Sequence, residues 1–199
     1  MKKFIAMLMS VMVIFTASAC DGKKMETFGM SVDKLENAYD SEVRKVIDKE
    51  PTEMLETMYA VTKLENIPKT ATPKLDNGKT ANVYELSHDL EDIIGLMGYK
   101  IMEESKSKEV FYAEIWVKQE YVTETFIPFW IGLYGSLSIA LVDGMTHDKF
   151  SNVIDEMYSE AMATGAIEKD QGKYHFEIDV VGNKCRYIIT TKEYNDMTK

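Results

Sequence analysis

Two stretches of the chain carry apolar residues at helical spacing. Val32, Leu35, Tyr39, Val43 and Val46 form one stripe, and Phe150, Val153, Ile154, Met157, Ala161 and Met162 form another, so each predicts an amphipathic helix with one face in a core. Elsewhere the period drops to two. Phe111, Ala113, Ile115 and Val117 alternate with Tyr112, Glu114, Trp116 and Lys118, while Tyr174, Phe176, Ile178 and Val180 alternate with His175, Glu177 and Asp179. Strands are expected over 81–88, 93–103 and 109–119, then a hairpin in which Gly182-Asn183 turns the chain into 185–191. These elements predict an α+β fold, an antiparallel sheet covered on one side by helices.

The pattern is written twice. Residues 29–43 lie over residues 144–158 with six identities in fifteen positions. In each copy Ser31 or Thr146 stands where a side chain can cap free backbone N–H groups, and Asp33 or Asp148 sits in the first turn, where the helix dipole favours negative charge. A second echo pairs Asp76-Asn-Gly78-Lys79 with Asp170-Gln-Gly172-Lys173, each a turn into a β-rich stretch. The helix-to-turn distance is longer in the first copy, and the excess falls where Pro51, Pro68 and Pro73 cluster, so an insertion with a short helix over 52–62 is expected there. Residues 31–199 thus read as a single α+β domain of two similar halves, 31–119 and 144–191.

Between the halves, the stretch 125–142 carries no charged residue. Pro128, Gly132, Gly135, Ser136 and Ser138 interrupt it, and the flanks Glu120, Glu124 and Asp143 offer no positive cluster to fix a topology. It reads as a buried helix over 128–142 joining the halves, in preference to a membrane span or a lipid-facing or partner-facing surface.

The amino terminus adds an address. Lys2 and Lys3, the apolar stretch from Phe4 to Phe15, and Ala17-Ser18-Ala19 before Cys20 resemble a bacterial lipoprotein signal. Ala17 stands where leucine is usual, which leaves an ordinary secretory cleavage as the alternative. The resemblance implies a signal peptide over 1–19, acyl chains on Cys20, and a lipidated tether over 20–30. Two or three chains, at about 0.8 kcal/mol per buried CH₂, make release from the membrane negligible. It also implies a cell-membrane location on the extracytoplasmic face, at the inner membrane if a Gram-negative retention rule applies to Asp21.

Charge narrows the partners. The formal net charge is −10, and because Lys2 and Lys3 leave with the leader, what remains is more acidic still. Such a chain is repelled by nucleic-acid phosphates, so no nucleic-acid partner is expected. With Cys20 acylated, Cys185 has no partner for an intramolecular disulfide, and its place beside Tyr187 and Ile189 at strand spacing reads as a small core residue.

Catalytic patterns are weak. Ser31-Val-Asp-Lys34 spells a Ser-x-x-Lys, but no Ser-Asp-Asn or Lys-Thr-Gly accompanies it, and capping is the better role for Ser31. His88, His147 and His175 stand far apart without metal-ligand spacing and read as solvated strand faces or a helix start. The many carboxylates read as a solvated surface, and Met54, Met58, Met97, Met102 and Met157 as core. Neither an enzyme nor a cofactor is expected.

Gly-Met-Ser at 29–31 and Gly-Met-Thr at 144–146, each opening a helix that leads toward antiparallel strands, resemble the helix starts of the β-lactamase-inhibitor-protein and small outer-membrane-assembly lipoprotein superfamily. That resemblance implies helices on an antiparallel sheet and a non-enzymatic role in presenting a sheet face or loop to another protein. The expectation is a membrane-anchored extracytoplasmic module that binds a protein or envelope component. A carrier of a small apolar ligand or lipid, lined by 126–142 and core methionines, is the alternative, with an envelope hydrolase behind it. Tyr112 and Trp116, aromatic residues on the more polar face of a strand, are the candidate partner-binding pair unless they pack beneath the insertion.

Overall fold

The computed structural model describes residues 24–49, 52–90 and 93–198. The leader, Cys20, Asp21 and Pro51 lie outside the described residues, as do the side chains of Met54 and Met162. In chain order the elements are α1 (Val32–Ile47), α2 (Glu53–Thr62), β1 (Lys69–Ala71), β2 (Ala81–Leu90), β3 (Ile93–Glu104), β4 (Glu109–Lys118), a 3-10 turn (Gln119–Tyr121), α3 (Ile127–Leu141), α4 (His147–Thr164), β5 (Ala166–Gln171), β6 (Tyr174–Val181), β7 (Lys184–Thr191) and α5 (Lys192–Thr198).

The strands form one antiparallel sheet in the order β1-β2-β3-β4-β7-β6-β5, so the fold is α+β. Outward from β4, β3-β2-β1 lies on one side and β7-β6-β5 on the other, each trio following a helix. Both helix starts bend alike, with Gly29 at φ 77° and Gly144 at φ 70°, where only glycine is unstrained. They differ at the cap: Thr146 accepts from the Lys149 N–H at 3.3 Å, while Ser31 makes no capping hydrogen bond. Capping therefore does not account for Ser31.

One core lies between the sheet and α1, α3 and α4. Met97, Tyr99, Ile101, Ala113, Ile115, Val117, Tyr187, Ile189, Phe176 and Ile178 share it with Leu35, Tyr39, Leu133 and Met157. On α1 the stripe drifts by one residue at its end, so Ile47 is buried and Val46 packs toward Gly132 of α3. Phe111 departs from the alternation. A bulge between Met102 and Glu103 shifts the β3–β4 register, and Phe111 joins a second cluster with Met25, Ala81, Val83 and Met102, its ring 4.8 Å from Tyr194 of α5.

Helix α3 packs against both α1 and α4, and its residues Trp130, Leu133, Tyr134, Leu137 and Leu141 are buried. Its polar atoms are satisfied from within. Ser138 donates to the Tyr134 carbonyl at 2.8 Å and bonds the Tyr187 hydroxyl at 2.7 Å, while the Trp130 indole donates to the Tyr121 carbonyl at 2.9 Å. Among the described residues, no helix is long and apolar enough to cross a membrane.

Residues 25–30 are not the tether that sequence predicts. Met25 and Phe28 are buried, Phe28 stacks on Tyr174, and the backbone exchanges hydrogen bonds with β4, Phe28 N to Val110 O at 2.7 Å and Val110 N to Met30 O at 2.8 Å. Two apolar residues three apart are enough to dock a segment that has no longer period.

Three polar residues on α1, each four after the last, hold the insertion in place. Glu36 accepts from the Ile67 N–H at 3.0 Å, Asp40 accepts from the Leu64 N–H at 3.0 Å, and Arg44 donates to both oxygens of Glu56 at 2.6 and 2.9 Å. Burial pushes the Glu36 and Asp40 carboxyls up, even though these amides stabilise their charged forms. Leu64 is buried, so Asp40→Ala strands its N–H. The variant should lose about 1–2 kcal/mol and gain amide exchange over 63–67 before the sheet does; unchanged exchange there would refute the clamp.

Burial also raises the hydroxyl pKa of Tyr39, Tyr99, Tyr134 and Tyr187, because a phenolate cannot be solvated in the core. Stability from these groups is complete below the unfolded value of about 10 and falls as pH rises above it. In an alkaline titration the phenolate absorbance of these four should appear only with cooperative unfolding. A gradual rise in a folded protein would contradict their burial.

Candidate functional site

Strand alternation sends a second set of side chains to the face opposite the three large helices, and the registers align them in rows. One row runs Met102, Tyr112, Thr190, His175, Asp170; the next Lys100, Glu114, Ile188, Glu177, Glu168; the third Gly98, Trp116, Arg186, Asp179, Ala166. The first row is partly covered. Tyr194 of α5 packs its ring edge on Tyr112 at 6.0 Å, and Lys192 pairs with Asp170 at 2.7 Å.

The structure puts both candidate aromatics on this face. Trp116 lies flat over Gly98, close enough that a Cβ on Gly98 would come within 2.6 Å of the indole, and Lys184 Nζ sits 3.5 Å from an indole ring centre. Its ring therefore shields a glycine on one side and meets a cation, an arrangement worth about 0.5–2 kcal/mol. Neither aromatic packs beneath the insertion, which docks on α1 and β2.

A charged chain links the two aromatics. Tyr112 donates its hydroxyl to Glu114, and Arg186 sets its guanidinium 4.0 Å from that carboxylate and grips Asp179 in a fork, with Nε to Oδ1 at 2.7 Å. Burial first and Glu114 second push the Tyr112 hydroxyl up, and burial with the nearby Asp179 raises the Glu177 carboxyl. Sequence placed Tyr112, Glu114 and Trp116 together. It could not place Arg186, Asp179 and Lys184 beside them, because register across β4, β7 and β6 is set by pairing and not by local pattern.

His175 is a correction. It is 2 % exposed, not solvated, with Nδ1 2.7 Å from Asp170 and Nε2 3.5 Å from Glu168. Asp170, held by Lys192 and His175, has its carboxyl below the usual range. His88 is half-buried, edge-on to Tyr99, and burial lowers its pKa. His147 is exposed at the start of α4. A second polar group sits at the end of the sheet: buried Glu103 accepts from Asn82 and Tyr84, each at 2.8 Å, and burial with this carboxylate pushes the Tyr84 hydroxyl up to about 12. Cys185 is buried, and its thiol is pushed up by burial, which removes it as a nucleophile near neutral pH. Among the described residues no group of His, Cys, Asp and Glu is arranged to hold a metal ion.

Comparison with protein-family models, with curated proteins and with solved structures finds no match to this chain.

Proposed function

We propose that the protein is a membrane-anchored, extracytoplasmic binding module that presents the Trp116–Arg186 face of its sheet to a protein or envelope component. The observation that carries this is the division of the sheet. Helices α1, α3 and α4 take one face for the core, while the other offers a half-buried indole, the part-exposed Lys184 and a fixed guanidinium–carboxylate fork. Rigid aromatic and arginine groups set on strands are the kind that anchor protein interfaces. The lipoprotein-like amino terminus and the non-enzymatic superfamily that the two helix starts resemble support the same role.

A Trp116→Ala, Lys184→Glu double variant tests it. Both changes lie on the outer face, so the variant should fold, as circular dichroism would verify, and should lose most of the envelope partner that the parent retains on a column. Retention equal to the parent's would overturn the assignment of this face. Intact mass tests the anchor, with acyl chains expected on Cys20 and the leader absent.

A further inference from the structure

The described chain is tied down from its first residues. Met25 is 3 % exposed, Glu26 N–H donates to Glu193 at 2.7 Å, Thr191 donates to the Glu26 carbonyl at 3.2 Å, and Thr27 donates to Glu109 at 2.7 Å. All of this lies at one end of the sheet, where β2 and β4 begin and β3 and β7 end. From Cys20 to Met25 there are five peptide steps, a reach of about 18 Å at most. The ten residues of β4 separate that end from the Gly182-Asn183 turn by about 30 Å.

Exposed groups of both signs stand at the tied end. Lys24, Lys74, Lys106 and Lys108 are exposed at the tied end, on or beside the turns 76–79 and 105–108. Of the carboxylates at this end, Glu103 is engaged by Asn82, Tyr84 and, at 3.7 Å, Lys108, Glu104 by the Ser107 N–H at 2.8 Å and Glu109 by Thr27, while Asp33, Asp76, Asp143 and Asp196 are exposed. With both signs present, the short chain from Cys20 and not a positive patch decides which end faces the membrane.

We propose that the short chain between Cys20 and Met25 turns this end of the sheet, with the turns 76–79 and 105–108, toward the headgroup surface that holds the anchor, so that the strands stand away from the membrane and the Trp116–Arg186 face looks sideways along it. This rests on the lipid-anchor reading above and adds the surface that meets lipid.

The test uses the full acylated chain in vesicles of phosphatidylethanolamine and phosphatidylglycerol with nitroxide-labelled headgroups. In a Cys185→Ala background, a fluorophore is placed on Ser107→Cys or on Asn183→Cys. Quenching should be several-fold greater at 107 than at 183. Inserting about 20 Gly and Ser residues between Gly22 and Lys23, which adds about 25 Å of average reach, should abolish the difference. Equal quenching at both sites in an acylated protein would overturn the orientation while leaving the anchor intact. A difference that survives the linker would overturn the short leash as its cause, and a chain without acyl mass on Cys20 would overturn both the anchor and the orientation.

Discussion

Gly98→Ala should lower stability by about 3 kcal/mol, seen as a fall in the denaturant midpoint at unchanged slope. A Cβ at this position would sit 2.5 Å from the Leu86 carbonyl oxygen and 2.6 Å from the Trp116 ring. The ring can tilt; the carbonyl belongs to the β2–β3 ladder and cannot move without breaking it. Trp116→Ala combined with Gly98→Ala should therefore recover only the part of the loss that comes from the indole, a non-additive pair. A single variant within about 0.5 kcal/mol of the parent would show that neither the Leu86 carbonyl nor the indole approaches Gly98 this closely.

Arg186→Ala should cost a similar amount, about 3 kcal/mol, because it leaves Asp179 and Glu114, at 6 % and 7 % exposure, without their shared cation. The figure sits at the low end for a broken buried pair because the Arg186 side chain is 29 % exposed. Arg186→Lys keeps the charge but not the fork and should fall between parent and alanine. A lysine variant as unstable as the alanine one would locate the damage in lost packing and fork geometry and not in stranded charge.

Residue pattern reached the fold class and the long elements because their periods are strong. The strand boundaries of β2, β3 and β4 and the buried helix after Pro128 needed only alternation and the absence of charge. What it missed depended on distant contacts. The three-residue β1 has no period to show, β5 is a charged strand whose pairing partner sets its existence, and Phe111 left its expected face because a bulge intervenes. Phe28 sat in a glycine-flanked polar stretch and gave no sign that Tyr174 would receive it. For the candidate site, the two aromatics were visible as a strand-face pair, whereas the cation that joins their surroundings comes from β7, far along the chain from β4, and only register brings it there.

The borders of the sheet carry one more consequence. A second molecule pairing antiparallel with β5 without turning its faces over would bring Glu168 opposite Glu168 or Asp170, and the opposite border, β1, offers only three residues. Molecules concentrated on a surface meet often enough for an open ladder of amides to zip neighbours into fibres. Like charges on one rim and brevity on the other oppose such edge-to-edge zipping.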